Sequence, residues 1–313
     1  MTLPPGSVLA LRALGLGDAL TGIPALRGLR RAFPDRRLVL AAPEALGSWL
    51  CRLGVVDAVL PTTGLQPLSA TGEGIVAVNL HGRGPQSHRL LRQLRPERLL
   101  AFACPAAGHS EGPDWRADEH EVARWCRLVH STGGPCGPQD LRLRPANGRG
   151  PGPVVVHPGA ASAARRWPPD RWTAVLRALL ADGHHVVLTG GAEEAALCAA
   201  LAEKDPRITD TAGRLDLDAL TALVGRAALV LCGDTGLAHL ATACGTPSVL
   251  LFGPTAPRRW GPAVDEALHA VLWHGDPAAD SWGDPHGSVT DPRLTVITPG
   301  EVLDAAHRLL TAH

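Results

Sequence analysis

Three short stretches carry residues whose types and spacing suit chemistry. The first is "GLGDAL", residues 15–20, where two glycines lead into Asp18. A carboxylate held in a glycine turn can take a proton, as a general base does. Aspartate also caps helix N-termini, so Asp18 has a second reading as the N-cap of the helix that follows. The turn is not a dinucleotide fingerprint, because G-x-G-x-x-G needs a third small residue and Leu20 stands there. The second stretch is "HPGAASAARRWP", residues 157–168. His157, Pro158 and Gly159 lead into small residues that let backbone approach a ligand. Arg165 and Arg166 then place two cations suited to a phosphate or pyrophosphate. Their structural alternative is a solvated arginine pair beside a buried Trp167. The third stretch is "GDTGLAH", residues 233–239. Free N–H groups where Thr235 and Gly236 open a helix form an anion site. Thr235 can also donate to phosphate, and Asp234 can hold sugar hydroxyls. The structural alternatives are an N-cap for Asp234 and a buried core histidine for His239.

The elements around these stretches alternate. Strands are expected at 7–13, 36–42, 57–61 and 74–80, with helices at 23–33, 43–53 and 120–132. The pattern breaks at "LRLRPANGRGPGP", residues 141–153, which reads as a linker. It resumes with strands at 153–159, 184–191, 228–234 and 247–253, interleaved with helices at 169–183, 192–204, 217–227 and 235–245. Asp170 is a plausible N-cap for the first of these helices. A last helix is expected over 299–312. Strands alternating with helices imply parallel sheets covered on both faces. The chain therefore divides into two Rossmann-like α/β domains, 1–148 and 149–313, facing across a cleft, with helix 300–312 as a candidate to pack back on the first. Ligands of such sheets bind beyond the C-terminal ends of strands. The loops of interest are 13–18, 79–85, 157–167, 189–193, 232–236 and 252–260.

Composition narrows the function classes. Thirty basic and thirty acidic residues balance, so nothing favours nucleic acid or an anionic membrane surface. With 45% hydrophobic and 19% charged residues the chain can bury two packed cores. Lys204 is its only lysine, and Ala, Gly, Pro, Arg and Leu dominate, a codon bias common in actinobacteria. Seven cysteines at irregular spacing, without C-x-x-C, fit reduced thiols in a cytoplasmic protein rather than a disulfide frame or zinc site. Arg12 interrupts the first apolar run, so no signal peptide is expected, and no run approaches the ~20 residues of a membrane span.

Some signals are set aside. Asp216 and Asp218 in "LDLD" form an Asp-x-Asp but precede a clear helix and read as helix-starting residues. The Asp and His residues of 273–287 fit no metal template and read as a solvated loop. The basic run 30–37 reads as a solvated face, with an anionic acceptor contact as its alternative.

Four blocks together resemble glycosyltransferase family 9, the ADP-heptose heptosyltransferases: "LRALGLGDALTGIPALRGLRRAFPDRRL", "VHPGA…RRWP", "LTGG" and "GDTGLAHLATACGTPSVLLFGPT". Their order and spacing run from about residue 8 to 262. The resemblance implies the GT-B fold, with an acceptor-binding N-terminal half and a donor-binding C-terminal half. It implies inverting transfer of heptose from ADP-heptose without a required metal or other cofactor. It makes Asp18 the general base and places Asp234, Thr235, Gly236 and His239 on the nucleotide-sugar donor. His157, Gly159, Arg165, Arg166 and Gly190 join them as donor-side candidates, with Arg165 standing where the family usually has Lys. Gly17, Thr21, His81 and Arg83 are acceptor-side candidates, the acceptor being a small molecule or a glycan. A hexosyltransferase or epimerase of the same fold, and a non-catalytic nucleotide-sugar-binding protein, are the alternatives. Asp18 speaks against the last.

Overall fold

The computed structural model describes residues 1–143, 152–278 and 283–312. The chain falls into two compact units, Met1–Leu141 and Arg142–His313. The division thus comes earlier than the expected 148/149, because Arg142 ion-pairs with Asp265 and Leu143 donates its N–H to Ala243 O, both in the second unit. Most of the expected linker, residues 144–151, lies outside the described residues.

The first unit runs β1 (Val8–Leu11), α1 (Leu16–Ala32), β2 (Leu38–Ala42), α2 (Glu44–Arg52), β3 (Ala58–Pro61), β4 (Val76–Asn79), α3 (Gln86–Arg92), β5 (Arg98–Leu100) and α4 (Glu121–His130). Its sheet is wholly parallel, in the order β3-β2-β1-β4-β5. Strands such as "VLAL" and "LVLAA" are buried along their length, as continuous apolar runs in a two-sided sheet must be. One face carries a core of Leu9, Leu11, Val39, Ala77 and Leu91. α1 packs against α4, where Ile23, Leu26, Trp125 and Leu128 are buried. α1 starts at Leu16, well before the expected residue 23, and accommodates Pro24 inside it.

The second unit runs β6 (Val154–His157), α5 (Pro169–Ala181), β7 (Val186–Leu188), α6 (Ala195–Ala202), β8 (Ile208–Asp210), α7 (Leu217–Gly225), β9 (Leu229–Gly233), α8 (Gly236–Cys244), β10 (Ser248–Leu251), α9 (Pro257–Trp260), β11 (His269–Leu272), α10 (Pro292–Val296) and α11 (Pro299–Thr311). The sheet is again parallel, in the order β11-β10-β9-β6-β7-β8. α11 belongs to this unit. Its Val302, Ala305, Ala306 and Leu309 are buried in this unit's core with Trp172, Leu176 and Val249.

In each sheet the strand order reverses once, between β1 and β4 and between β6 and β9. These switch points open a crevice at the C-terminal strand ends, where ligands of doubly wound sheets bind. Asp18 follows β1 and His81 follows β4. Arg165 follows β6 and Asp234 follows β9.

Candidate functional site

At the first switch point, Asp18 is the third residue of α1. The N-cap is Gly15, without a side-chain cap, so Asp18 is not the N-cap. Its side chain is 31% exposed, which leaves the carboxylate open on one side. Burial raises its pKa above the usual carboxylate value; the Arg12 guanidinium opposes this, the Glu121 carboxylate adds to it, and the backbone amides of Asp18 and Gly15 lower it. A carboxylate raised toward neutrality is better matched to proton transfer.

Arg12, absent from the candidates read from the sequence, organises this site. Only 2% exposed and one residue past β1, it reaches α1, α4 and the loop after β4 with its side chain. Its Nε donates to the Asp18 carbonyl and its Nη1 to Leu80 O. Its Nη2 donates to Thr21 Oγ1 at 3.0 Å and Glu121 Oε1 at 3.2 Å, and lies 3.6 Å from Asp18 Oδ1. The guanidinium carbon sits 5.0 Å from the Trp125 ring centroid. Glu121 is itself buried; Arg12, Arg124 and the Trp125 N–H outweigh its burial and hold its carboxyl below the usual range.

The acceptor-side candidates divide. Gly17 lies in the first turn of α1 beside Asp18, and Arg83 is exposed beyond β4. His81 is half-buried; burial, then Arg12, lowers its pKa, and its Nδ1 accepts from the Ala13 N–H at 3.2 Å. Thr21 is 1% exposed, and its hydroxyl accepts from Arg12 and donates to Asp18 O. It braces the turn rather than facing an acceptor. The basic run 30–37 is largely spent on ion pairs, Arg30 with Asp57 and Arg31 with Asp140.

At the second switch point, Arg165 closes a short 3-10 turn after β6. Its Nη1 donates to Asp234 O at 3.1 Å, so this side chain ties the loop after β6 to the backbone after β9. Arg166 Nε donates to Ala160 O at 2.8 Å. Among the described residues neither guanidinium forms an ion pair, and most of their roughly five N–H donors each stay available. Trp167 is buried and donates to Ile297 O at 3.1 Å, so the tryptophan is structural while the arginines beside it are not neutralised.

The N-cap of α8 is Thr235, not Asp234. Thr235 Oγ1 is buried beside the Cys232 thiol, with no nitrogen or oxygen partner among the described residues, and Gly236 is the first helical residue. The helix thus presents free amides together with one unspent hydroxyl. Asp234 is 6% exposed, as is His239, whose ring packs edge-on against Trp260 at 5.8 Å.

The third loop brings in a residue that sequence reasoning passed over. Glu194 Oε2 accepts from Gly191 N at 2.8 Å and lies 3.8 Å from His157 Nε2. His157 Nδ1 meets Thr189 O at 2.9 Å, which ties β6 to β7. A Cβ at Gly159 would stand 1.8 Å from Glu194 Oε1, so glycine there is what admits this carboxylate. Gly190 backs the same side chain. The spacing Gly191-x-x-Glu194 after a strand is a capping pattern and was the available signal.

Two helix-start readings resolve differently. Asp216 caps α7, its Oδ1 accepting from Ala219 N at 2.8 Å. Asp170 does not cap α5, because Pro169 takes the first helical position and Pro168 the cap. In the 273–287 segment described side chains tie the loop to distant parts of the same unit, His274 to Glu301 at 2.8 Å and Trp273 Nε1 to Gly253 O at 3.1 Å.

Residues 116–280 match the sequence model of glycosyltransferase family 9 (heptosyltransferase). The lipopolysaccharide heptosyltransferase 3 of Escherichia coli is 32% identical over 161 residues, 50% of this chain and 46% of that protein. The chain spans about half the length of the curated relatives it matches. Over the whole chain the fold is similar to that of the E. coli ADP-heptose lipopolysaccharide heptosyltransferase II, with a TM-score of 0.76 at 19% identity, covering 98% of this chain and 99% of that one. A family 9 glycosyl transferase from Veillonella parvula gives 0.77 at 18% identity, covering 100% and 99%.

Proposed function

The chain belongs to glycosyltransferase family 9, and on that premise we propose that it transfers a sugar, heptose from ADP-heptose in the first instance, to a hydroxyl acceptor. The observation that carries this reading is the second switch point. Among the described residues Arg165 and Arg166 have no carboxylate partner, and Arg165 bonds the Asp234 carbonyl next to the N-terminus of α8, where Thr235 is the N-cap. A nucleotide diphosphate supplies the charge these arginines lack. The relatives' names support ADP-heptose as the donor; the geometry supports a diphosphate.

In the proposed reaction the second unit holds the diphosphate and the first supplies the base. Asp18 takes the proton of the acceptor hydroxyl as its oxygen bonds to the anomeric carbon. The bond from that carbon to the phosphate oxygen breaks, and its electron pair leaves on the nucleotide diphosphate. Arg165, Arg166, Thr235 and the α8 amides stabilise that charge, so no metal is required. One displacement inverts the anomeric configuration. The acceptor is a small natural product or an envelope glycan.

Calorimetry with ADP-heptose, UDP-glucose and GDP-mannose tests the donor: ADP-heptose binds tightest, and failure of all three to bind overturns the reading. Transfer should persist in EDTA. Asp18→Asn should lower turnover by about a thousandfold or more while leaving donor affinity within a few fold. Near-normal turnover of that variant removes Asp18 as the base.

A further inference from the structure

We propose that Arg12 is the positioning residue for Asp18, a buried fork that fixes both the direction and the charge of the base from behind; this rests on the reading of Asp18 above. Four contacts fix direction. The fork ties the Asp18 carbonyl and the Leu80 carbonyl, and braces Thr21, whose hydroxyl donates back to Asp18 O at 3.1 Å. The first turn of α1, the end of β1 and the loop after β4 are thereby held to one planar group. The arginine stem is seated by sequence as well. A Cβ at position 22 would lie 2.7 Å from Arg12 Cδ, so Gly22 is the notch in α1 that admits it.

The charge argument turns on which groups face Asp18. Arg12 faces it from the end of β1, Glu121 from α4, and the amides of Gly15 and Asp18 from α1 itself. His81, after β4, faces the arginine. Glu121 is already held by Arg124 and by the Trp125 N–H at 2.6 Å, so it draws only part of the Arg12 charge. The remainder falls on Asp18 Oδ1, 3.6 Å away. Without Arg12, burial and Glu121 would be opposed only by the Gly15 and Asp18 amides, and the carboxyl would hold its proton more tightly. Arg12 touches only atoms of its own unit in these contacts, so it acts through Asp18.

Carboxyl ¹³C NMR of aspartate-labelled full-length protein, with the Asp18 resonance assigned by its loss in Asp18→Asn, reads this directly. Arg12→Gln should raise the proton affinity of Asp18 about tenfold or more, the usual effect of losing an opposite charge at this distance. Arg12→Lys should restore most of that. Glu121→Gln should move it the opposite way. Gly22→Ala changes no charge and favours the helix, yet it pushes the Arg12 stem aside, so it should raise the affinity about threefold. A purely structural Arg12 would leave the midpoint unmoved in every folded variant, and that result overturns the proposal. If Arg12→Gln does not fold, an unmoved midpoint in Gly22→Ala overturns it alone. Should the midpoints move as stated while Asp18→Asn still transfers sugar, the electrostatic coupling stands and the base assignment falls.

Discussion

At the end of β1, Arg12 and Arg124 both pair with Glu121 inside their own unit; at the ends of β6 and β9, Arg165 and Arg166 lean, among the described residues, only on carbonyls and a serine hydroxyl. Both sites occupy a strand-order reversal in a parallel sheet, so topology alone does not separate them. The difference lies in where their charges are balanced. The first site closes its own electrostatics and leaves a single half-open carboxylate, Asp18, as its working group. The second leaves guanidinium donors, helix amides and a buried hydroxyl unspent. A self-balanced site sets a pKa; an unbalanced one binds an anion. The comparison predicts that damage to the first shows as lost stability and damage to the second as lost affinity.

The largest effect falls on the self-balanced side. Glu121→Ala strands Arg12 and Arg124 in the interior, and breaking a buried pair from one side costs about 3–5 kcal/mol. Urea unfolding should show a large fall in midpoint, while calorimetry of the folded variant shows ADP-heptose affinity within about threefold. An unchanged midpoint would mean that this network is not closed.

Arg165→Ala reverses the pattern. Its guanidinium is held by one backbone carbonyl and a long contact to Ser162, so the urea midpoint should hold. Nucleotide-diphosphate affinity should weaken by about 1.5–3 kcal/mol, the scale of a charged hydrogen bond. An unchanged calorimetric affinity would remove the arginine from the phosphate site and with it half of the contrast.

This asymmetry also governed what could be read beforehand. The second site is written in consecutive residues: "RRW" after one strand and "GDTG" after another, each local in sequence and each at a strand end. The family match accordingly falls on residues 116–280, mostly in that unit. The first site depends on contacts across long separations. Arg12 and Glu121 are 109 residues apart, and no local pattern links them. Arg12 reads as a charge interrupting an apolar run, and nothing local in sequence marks Gly22 as the notch for its stem. Asp18 itself was legible, though its place in the first turn was not, because the apolar spacing from Ile23 set the expected helix over 23–33, seven residues after its start at Leu16. The edge strands β5 and β8 escaped for another reason. Each is three residues long and only partly buried, so neither carries an apolar run to recognise.

The smallest effect is the most discriminating. Thr235→Val keeps the shape and removes only the hydroxyl. Because Oγ1 is buried beside the Cys232 thiol with no nitrogen or oxygen partner among the described residues, the ligand-free protein loses at most a weak thiol contact and sheds an under-satisfied polar group. The urea midpoint should therefore hold or rise, even though most core substitutions lower it. Affinity for ADP-heptose should fall by about 1 kcal/mol, the net value of a hydrogen bond made only when ligand arrives. Opposite signs on stability and binding from one atom are what an unspent donor must give. A fall in midpoint with affinity unchanged would show that the hydroxyl is satisfied within the fold, and the second site would then be as self-balanced as the first.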